Sequence, residues 1–526
     1  MKKIWGIVLS LAVVGGTVNA QGLTDMNTYA QSELTGTARY LGVAGAFGAL
    51  GGDASSISNN PAGLGVYRSS EIEMSMSINN HSSETLFNGA SMKKDFTRVN
   101  FDNLAYIGYF PTGNNEGIIS WNLGLSYNRL ANFDRRYNVS GVQDYSLSDY
   151  TAARANGTPV GDLAGSADYD PYSSGQDWMS ALGYDSGMID VYNNNDQAYF
   201  SPFGDKNASG QWVPYQLDGA DMKVREQGRI DQYNIAFGTN ISNVLLLGAT
   251  LSVTDMEYEY SSTYDETFVN SDYLYLDNGL KTEGSGYQVN VGAIYMPTEF
   301  FRLGVAYNSP TWYDLTDYYH GEAGASYSYL DNQGLQKPGP FSSETPRDPL
   351  PYTDYKYHTP DRFILSAAGF FGRSGFLSVD YILTNYKDLY SADFNGYENE
   401  QANDAADVRN RTAGTIRIGG EFKPTNRFSV RAGYSYAESP FSDVNSIEEI
   451  RTVGTIPSYT LLKDITNVTV GLGYRFTPQF YMDAACVLRT RKEDIFSFSN
   501  LAEVKSDPAS LTTNTTKVSF TMGYKF

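Results

Sequence analysis

The chain has 526 residues, of which 59 are acidic and 38 basic, for a net charge of -21. Such an acidic balance excludes a nucleic-acid binder, whose phosphate contacts demand an excess of Lys and Arg. A single cysteine, Cys486, excludes a disulfide framework and a thiolate metal centre.

Met1 to Ala20 reads as a secretory signal, with Lys2 and Lys3 at its positive end, Ile4 to Val14 as a short apolar core and Val18-Asn19-Ala20 as the cleavage site. The mature chain is expected to begin at Gln21, which is not a lipoprotein cysteine. Beyond it no run approaches the roughly 18 consecutive apolar residues of a spanning helix.

Residues 21–70 do not read as strands. Leu41 to Leu50 is small and apolar, and Gly51-Gly52-Asp53 follows, with Asp53 placed to cap a short helix. Asn59-Asn60-Pro61-Ala62-Gly63-Leu64 then closes the segment. A phosphate loop is excluded, because no strand precedes these glycines and no Gly-Lys-Ser/Thr follows. About fifty residues make too small a core to stand alone and too apolar a segment to float free. The expected location is the lumen of a barrel, as a plug.

From residue 71 the chain alternates. Amphipathic segments fall at 71–78, 99–110, 118–130, 230–240, 245–260, 286–296 and 300–312. Seven more follow at 357–371, 375–386, 414–422, 427–436, 466–476, 479–488 and 515–526. Fourteen is an even number, and many segments are near the 9 to 11 residues, roughly, that a tilted strand needs to cross a bilayer. In the last of them Val518, Phe520, Met522, Tyr524 and Phe526 share one face, while Lys517, Ser519, Thr521, Gly523 and Lys525 share the other. Phe301, Leu303, Val305 and Tyr307 are expected outward against Arg302, Gly304 and Ala306 inward. Short links at 111–117, 242–244, 297–299, 372–374, 423–426 and 477–478 alternate with long polar ones, as periplasmic turns alternate with outer loops. Cys486 lies on the apolar register as filler.

The expected fold is therefore all-β: a 14-stranded antiparallel transmembrane barrel, residues 71–526, with a hatch at 21–70. Residues 133–229 form its long outer loop, folded over the mouth. Asp168-Tyr169-Asp170 in that loop lacks the glycine-centred, oxygen-rich pattern of a calcium loop and reads as solvated surface. No metal and no cofactor is expected.

The run Ala38, Gly42, Gly45, Phe47, Asp53, Ala54 and Asn60-Pro61-Ala62-Gly63-Leu64 resembles the hatch of the outer-membrane transporters of long-chain fatty acids and hydrocarbons (FadL/TodX type), which carries an Asn-Pro-Ala motif. The hairpin at 287–310, Thr359-Pro360-Asp361-Arg362 and Arg431-Ala432-Gly433-Tyr434 with Ser439-Pro440 extend the resemblance. It implies uptake of a hydrophobic small molecule across the Gram-negative outer membrane without TonB energy, past a hatch and out through the wall. Asn60, Pro61, Ala62, Gly63 and Asp53 are the hatch and gate candidates. Gly124 is the one evident place for the kink that, in this family, opens the third strand sideways.

The implied partners are the ligand, outer-membrane lipid and lipopolysaccharide, and the barrel assembly machinery, met through the strand ending in Phe526; the barrel is expected to be a monomer. Among rival readings, a hydrolase finds no motif around His81, His320 or His358. The first two are expected in outer loops and the third at the outer end of a strand. A haem receptor would use a His or Tyr at loop tips. A general porin has no use for a plug.

Overall fold

A computed structural model of the chain describes residues 22–526, apart from 32, 164–176, 193–194, 208, 210–211, 331–335, 339, 348–349, 443–449, 451, 453 and 502–503. The secretory signal and Asp168-Tyr169-Asp170 fall outside the described residues.

Fourteen antiparallel staves close into one barrel, each following segment of the chain lying beside the last. They are β1 (Glu71–Phe87), β2 (Ala90–Pro111), β3 (Ile118–Asn132, continued outward by Arg135–Gly141), β4 (Leu217–Ile241), β5 (Leu245–Phe268) and β6 (Tyr273–Thr298). Two staves follow that are each broken once, β7 (Phe301–Asn308 and Trp312–Ser326) and β8 (Tyr352–His358 and Arg362–Phe370). The last six are β9 (Gly375–Asn385, continued by Tyr390–Asp393), β10 (Thr412–Phe422), β11 (Phe428–Ala437), β12 (Tyr459–Arg475), β13 (Phe480–Phe496) and β14 (Ala509–Lys525). Closure runs from Glu71 against Lys525 to Leu86 against Ser510, so the last stave seals against the first along its whole length.

The expected registers hold. Phe520, Met522, Tyr524 and Phe526 face outward, while Lys517, Ser519 and Thr521 are buried inside. Phe301, Leu303, Val305 and Tyr307 are likewise exposed on the outer wall. Cys486 stands opposite Val470 and Val518, on the outward face.

Several staves run far beyond the expected segments. The long polar links expected after β1 and β5 are strand continuations closed by tight turns, Asn88-Gly89 with both φ positive in the first case and 269–272 in the second. Residues 217–229, read as loop, belong to β4, and Arg135–Gly141 pairs with it. The physical reason is an inversion of the pattern. In β5, Leu251 and Val253 point out and Ser252 and Thr254 in; one turn of the pleat higher, Asp255 and Glu257 point out and Met256 and Tyr258 are buried within. The lower wall meets lipid and the upper wall meets water, so the apolar face changes sides. His81 is correspondingly a buried residue of β1 and His320 a residue of β7, neither on an outer loop; His358 lies at the break in β8.

The upper barrel is a genuine core. Tyr258, Tyr313, Tyr319, Tyr355 and Tyr357 form one cluster with Leu23, Met26 and Tyr29 of the amino-terminal segment. A second gathers Tyr137, Val139, Met222, Val224, Leu274 and Leu276 under the long outer connection, which carries α-helices at Leu147–Ala155, Val160–Leu163 and Trp178–Asp185.

A valine at Gly248 tests how tightly the hatch seats, because a Cβ there would lie 2.3 Å from the Pro61 carbonyl carbon. Gly248→Val is expected to leave the heat-resistant barrel band on a gel intact while exposing residues 36–66 to limited proteolysis; unchanged protection would show that the hatch has slack.

Candidate functional site

The hatch is built of pieces too short to satisfy themselves. Its helices are α1 (Leu23–Tyr29), α2 (Ala38–Gly42) and α3 (Ser56–Asn59), followed by a 3-10 turn at Pro61–Val66. Such pieces leave most of their N–H and C=O groups without internal partners. The wall supplies them. The Thr521 hydroxyl accepts from Ala38 N–H at 2.7 Å and the Asp380 carboxylate from Gly48 N–H at 2.9 Å. Asn122 Nδ2 donates to Leu64 O at 2.6 Å, Asn240 Nδ2 to Gly65 O at 3.1 Å and Thr250 Oγ1 to Ile57 O at 3.0 Å.

Asn60 is the pivot of this arrangement. Its Oδ1 accepts from Ala62 N–H at 3.2 Å, capping the 3-10 turn, and its Nδ2 donates to Gly48 O at 2.6 Å. Pro61 takes the first position of that turn, where its missing N–H costs nothing. Ala62 packs on Leu246 and Ile294 of the wall. Gly63 leaves room for Gly51, and its carbonyl accepts from Gly52 N–H at 3.1 Å. Asp53 caps no helix: its carboxylate accepts from the Thr37 hydroxyl at 2.8 Å and from Ser55 N–H at 3.0 Å, while Ser55 holds the N-cap position of α3 without a side-chain cap. The four motif residues and Asp53 thus lie together in the plug, Asp53 as a tie between its two halves.

Gly124 occupies an unbroken ladder, opposite Ile107 on β2 and Ala236 on β4. A Cβ there would meet Ile57 and Leu64 of the hatch at 2.9 and 3.3 Å, so it is a close-approach glycine. The irregularity of this stave lies elsewhere. β2 and β3 pair from Pro111 opposite Ser120 up to Asn103 opposite Asn128, and no further. Above that point β2 pairs with β1 alone, and β3 shifts register between Arg129 and Ala131 as it follows β4. The β1–β2 ladder also shifts register at this height, Ser75 pairing with Asn103 and Met76 with Phe101, so that Asp102 of β2 is the extra residue. The result is a seam in the wall whose outward side chains on β2, Phe101 and Val99, are still apolar.

Polar groups line the seam from inside. Lys517 pairs with Asp102 at 3.1 Å, and Glu33, from the hatch segment, accepts from Asn132 N–H at 3.0 Å while paired with Arg489. Behind it lies a cavity of about 110 Å³ between hatch and wall, reaching Asn128 and Leu130 at the seam. Alternation alone could not locate the seam; the signal was the pair of bulges, invisible without the partner strands. None of the three histidines adjoins the cavity. His81 hydrogen-bonds Thr515 through Nδ1 at 3.0 Å and stacks on Phe96.

Over the mouth, Glu266 holds the outer helix α4 (Leu147–Ala155), accepting from Leu147 N–H at 2.9 Å and from the Tyr264 hydroxyl at 2.6 Å. Burial pushes its carboxyl from 4.5 up to about 7, against these hydrogen bonds. The folded state therefore holds this proton more tightly than the unfolded chain. Docking of the helix is strongest below about pH 4.5 and weakens as pH rises through about 7. Hydrogen exchange at 147–155 is expected to quicken over that window, and Glu266→Gln to abolish the dependence.

Asn60→Ala removes the cap and the donor to Gly48 O, costing the hatch on the order of 2 kcal/mol. Planar-bilayer recordings are expected to show an ion leak absent from the parent; a silent variant would show that Asn60 is dispensable to the seal.

Comparison with known proteins gives the arrangement its relatives. A model of the outer membrane protein transport protein family (OMPP1/FadL/TodX) matches residues 248–526. The fold resembles a Pseudomonas aeruginosa FadL homologue, with 14% identity, a TM-score of 0.51 and coverage of 94% of this chain and 99% of that one. It also resembles the P. putida toluene transporter TodX, with 14% identity, a TM-score of 0.50 and the same coverage of both chains. No curated protein matches the chain by sequence.

Proposed function

Because the chain belongs to the outer membrane protein transport protein family (OMPP1/FadL/TodX), we propose that it takes up hydrophobic small molecules, long-chain fatty acids or aromatic hydrocarbons, by gated diffusion that needs no TonB. The solute leaves water at the outer loops, passes the tyrosine-lined upper lumen, enters the cavity between hatch and wall and departs sideways through the seam between β2 and β3. The observation that carries this reading is the coincidence of a hatch bonded to the wall with a seam whose residues Asn128 and Leu130 border a cavity between hatch and wall.

The energetics favour such a path. Each methylene taken from water gains roughly 0.8 kcal/mol, so an apolar solute is drawn into the tyrosine-rich upper core without any external energy. Passage down the barrel axis would instead break the hatch's bonds to the wall, from Ala38 to Thr521 through Gly65 to Asn240, in one step. Sideways exit requires movement only of the segment around Glu33, which touches the seam through Asn132 and Arg489.

A tether between hatch and wall tests the gate. A Cβ on Gly48 would sit 2.9 Å from the Ser366 Cβ, within a small backbone shift of disulfide geometry. In a Cys486→Ser background, Gly48→Cys with Ser366→Cys is expected to slow uptake of an apolar fluorescent probe into proteoliposomes when oxidised if the lower hatch must move, and to restore it on reduction. Seam-only exit predicts little effect of this tether, whereas crosslinking Glu33→Cys to Arg489→Cys blocks uptake. Unimpeded uptake through both oxidised tethers would refute a hatch-controlled route.

A further inference from the structure

At the short-turn end of the barrel one phenol hydroxyl is shared by two acids. Glu71 and Glu73 stand two residues apart on the inward face of β1, and both are buried. Tyr481, near the start of β13, places its Oη 2.5 Å from Glu71 Oε1 and 2.9 Å from Glu73 Oε2. On the wall side of this group Glu71 pairs with the partly exposed Lys525 of β14 at 3.3 Å. On the lumen side Glu73 Oε1 accepts from Ala54 N–H of the hatch at 3.1 Å. A line of contacts therefore runs from a cation at the rim of the wall to the backbone of the plug.

That line is one hydrogen short if both acids are ionised. A phenol carries a single hydrogen, and a carboxylate can only accept. With both acids ionised, one of the two contacts to Tyr481 would set oxygen lone pairs against each other. A proton on Glu73 removes the conflict. Glu71, beside Lys525, stays ionised and accepts from the phenol; the Glu73 O–H donates to the phenol oxygen; the other Glu73 oxygen, now a carbonyl, still accepts from Ala54. Tyr67, buried beside the two acids, supplies no hydrogen to them, since its hydroxyl makes no hydrogen bond among the described residues. From the hatch the charge that faces Glu73 is Asp53, whose carboxylate is bound to Thr37 and Ser55. Arg39, the cation nearest in the hatch sequence, is turned to Gly52 O at 2.8 Å and to Glu421 at 3.7 Å.

We propose that a proton held on Glu73 latches the hatch to the wall at its periplasmic end. Loss of that proton turns a donor into a further carboxylate charge, buried beside Glu71 and Asp53, and like charges so placed repel at a high cost. The bond to Tyr481 is lost with it, and the segment around Ala54 is pushed from the wall. Protonation and docking therefore favour each other: the latch is closed at low pH and opens as pH rises through the titration of this carboxyl. The periplasm reaches the site past Lys525, so the plug answers to the pH of that compartment. The proposal concerns the hatch and not the cargo, and it stands apart from the uptake reading.

Purified full-length protein in a neutral detergent is followed by hydrogen exchange at residues 52–57 from about pH 5 to about pH 9, corrected for the pH dependence of the chemical step. The parent is expected to lose protection there by at least about tenfold, since release of one proton is worth up to about tenfold per pH unit. Glu73→Gln sets an amide N–H where the O–H stood and keeps the carbonyl for Ala54, so it is expected to stay protected throughout. Lys525→Gln lies outside the hatch and removes the cation that keeps Glu71 ionised. It is expected to move the transition to higher pH, and it carries the test if Glu73→Gln fails to give the heat-resistant barrel band. Protection of the parent that ignores pH, a Glu73→Gln variant as pH-sensitive as the parent, or a Lys525→Gln transition that stays in place or falls overturns the latch. Loss of protection spread evenly over all the staves overturns it as well.

Discussion

The structure depends on satisfying the backbone of a plug that cannot satisfy its own. A strand in the wall has neighbours on both sides for its N–H and C=O groups, but α2, α3 and the 3-10 turn after them are four to six residues each. Unpaired groups buried inside a barrel cost as much as lost hydrogen bonds. The inward face of each stave answers this with short polar side chains, Asn122, Asn240, Thr250 and Thr521 among them, aimed at particular hatch atoms. Where no side chain could fit, glycine lets the two backbones touch: Gly304 beneath the Gly48 carbonyl and Gly433 beneath Val43 are two such places. Hatch and wall are therefore one hydrogen-bonded object, and an opening has to be sought where that bonding is weakest.

That requirement explains why the lower wall was legible in sequence. Alternation of apolar and polar residues over a lipid-facing stave is a property of the stave alone, and the inward set Arg302, Gly304 and Ala306 was readable before any contact was known. The plug was legible for a related reason, since small residues and Asn60-Pro61-Ala62 exclude both a strand and an independent domain. The upper wall was not legible as wall. Above Val253 and Tyr233 the apolar side chains move to the interior, and a reading tuned to apolar-out loses the thread at Asp255 and Arg229. The Asn88-Gly89 pair, the strongest short hairpin signal a sequence offers, marked the true turn of the first hairpin all the same.

The functional residues divide in the same way. Asn60, Pro61, Ala62 and Gly63 are local in the chain and their roles in the turn are local, so the motif led to them. The seam between β2 and β3 gains meaning only from which strands pair with which. The end of a strand ladder is a statement about three-dimensional neighbours, and no spacing rule records it. Gly124 shows the converse: a glycine in a strand invites a kink, yet its neighbours Ile57 and Leu64 explain it fully as a place of contact.

A seam in a barrel carries a physical cost that shapes what surrounds it. Closure exists to remove edges, because an open row of N–H and C=O groups is intolerable in hydrocarbon and prone to pair with other chains in water. Here β2 has such an edge from Asp102 to Ala90. At the lower end, nearest the lipid, the lumen covers it: Asn103 Nδ2 reaches the Tyr127 carbonyl at 3.3 Å and the Asn128 side chain at 2.5 Å, and Lys517 secures Asp102. At the upper end Lys93, Lys94, Asp95 and Arg98 crowd charge onto the exposed edge, where a pairing strand would have to desolvate them. The edge is thus covered from within where lipid would penalise it and charged where water would invite a partner. Both arrangements act on the same stretch of β2, which is how the wall accommodates the seam.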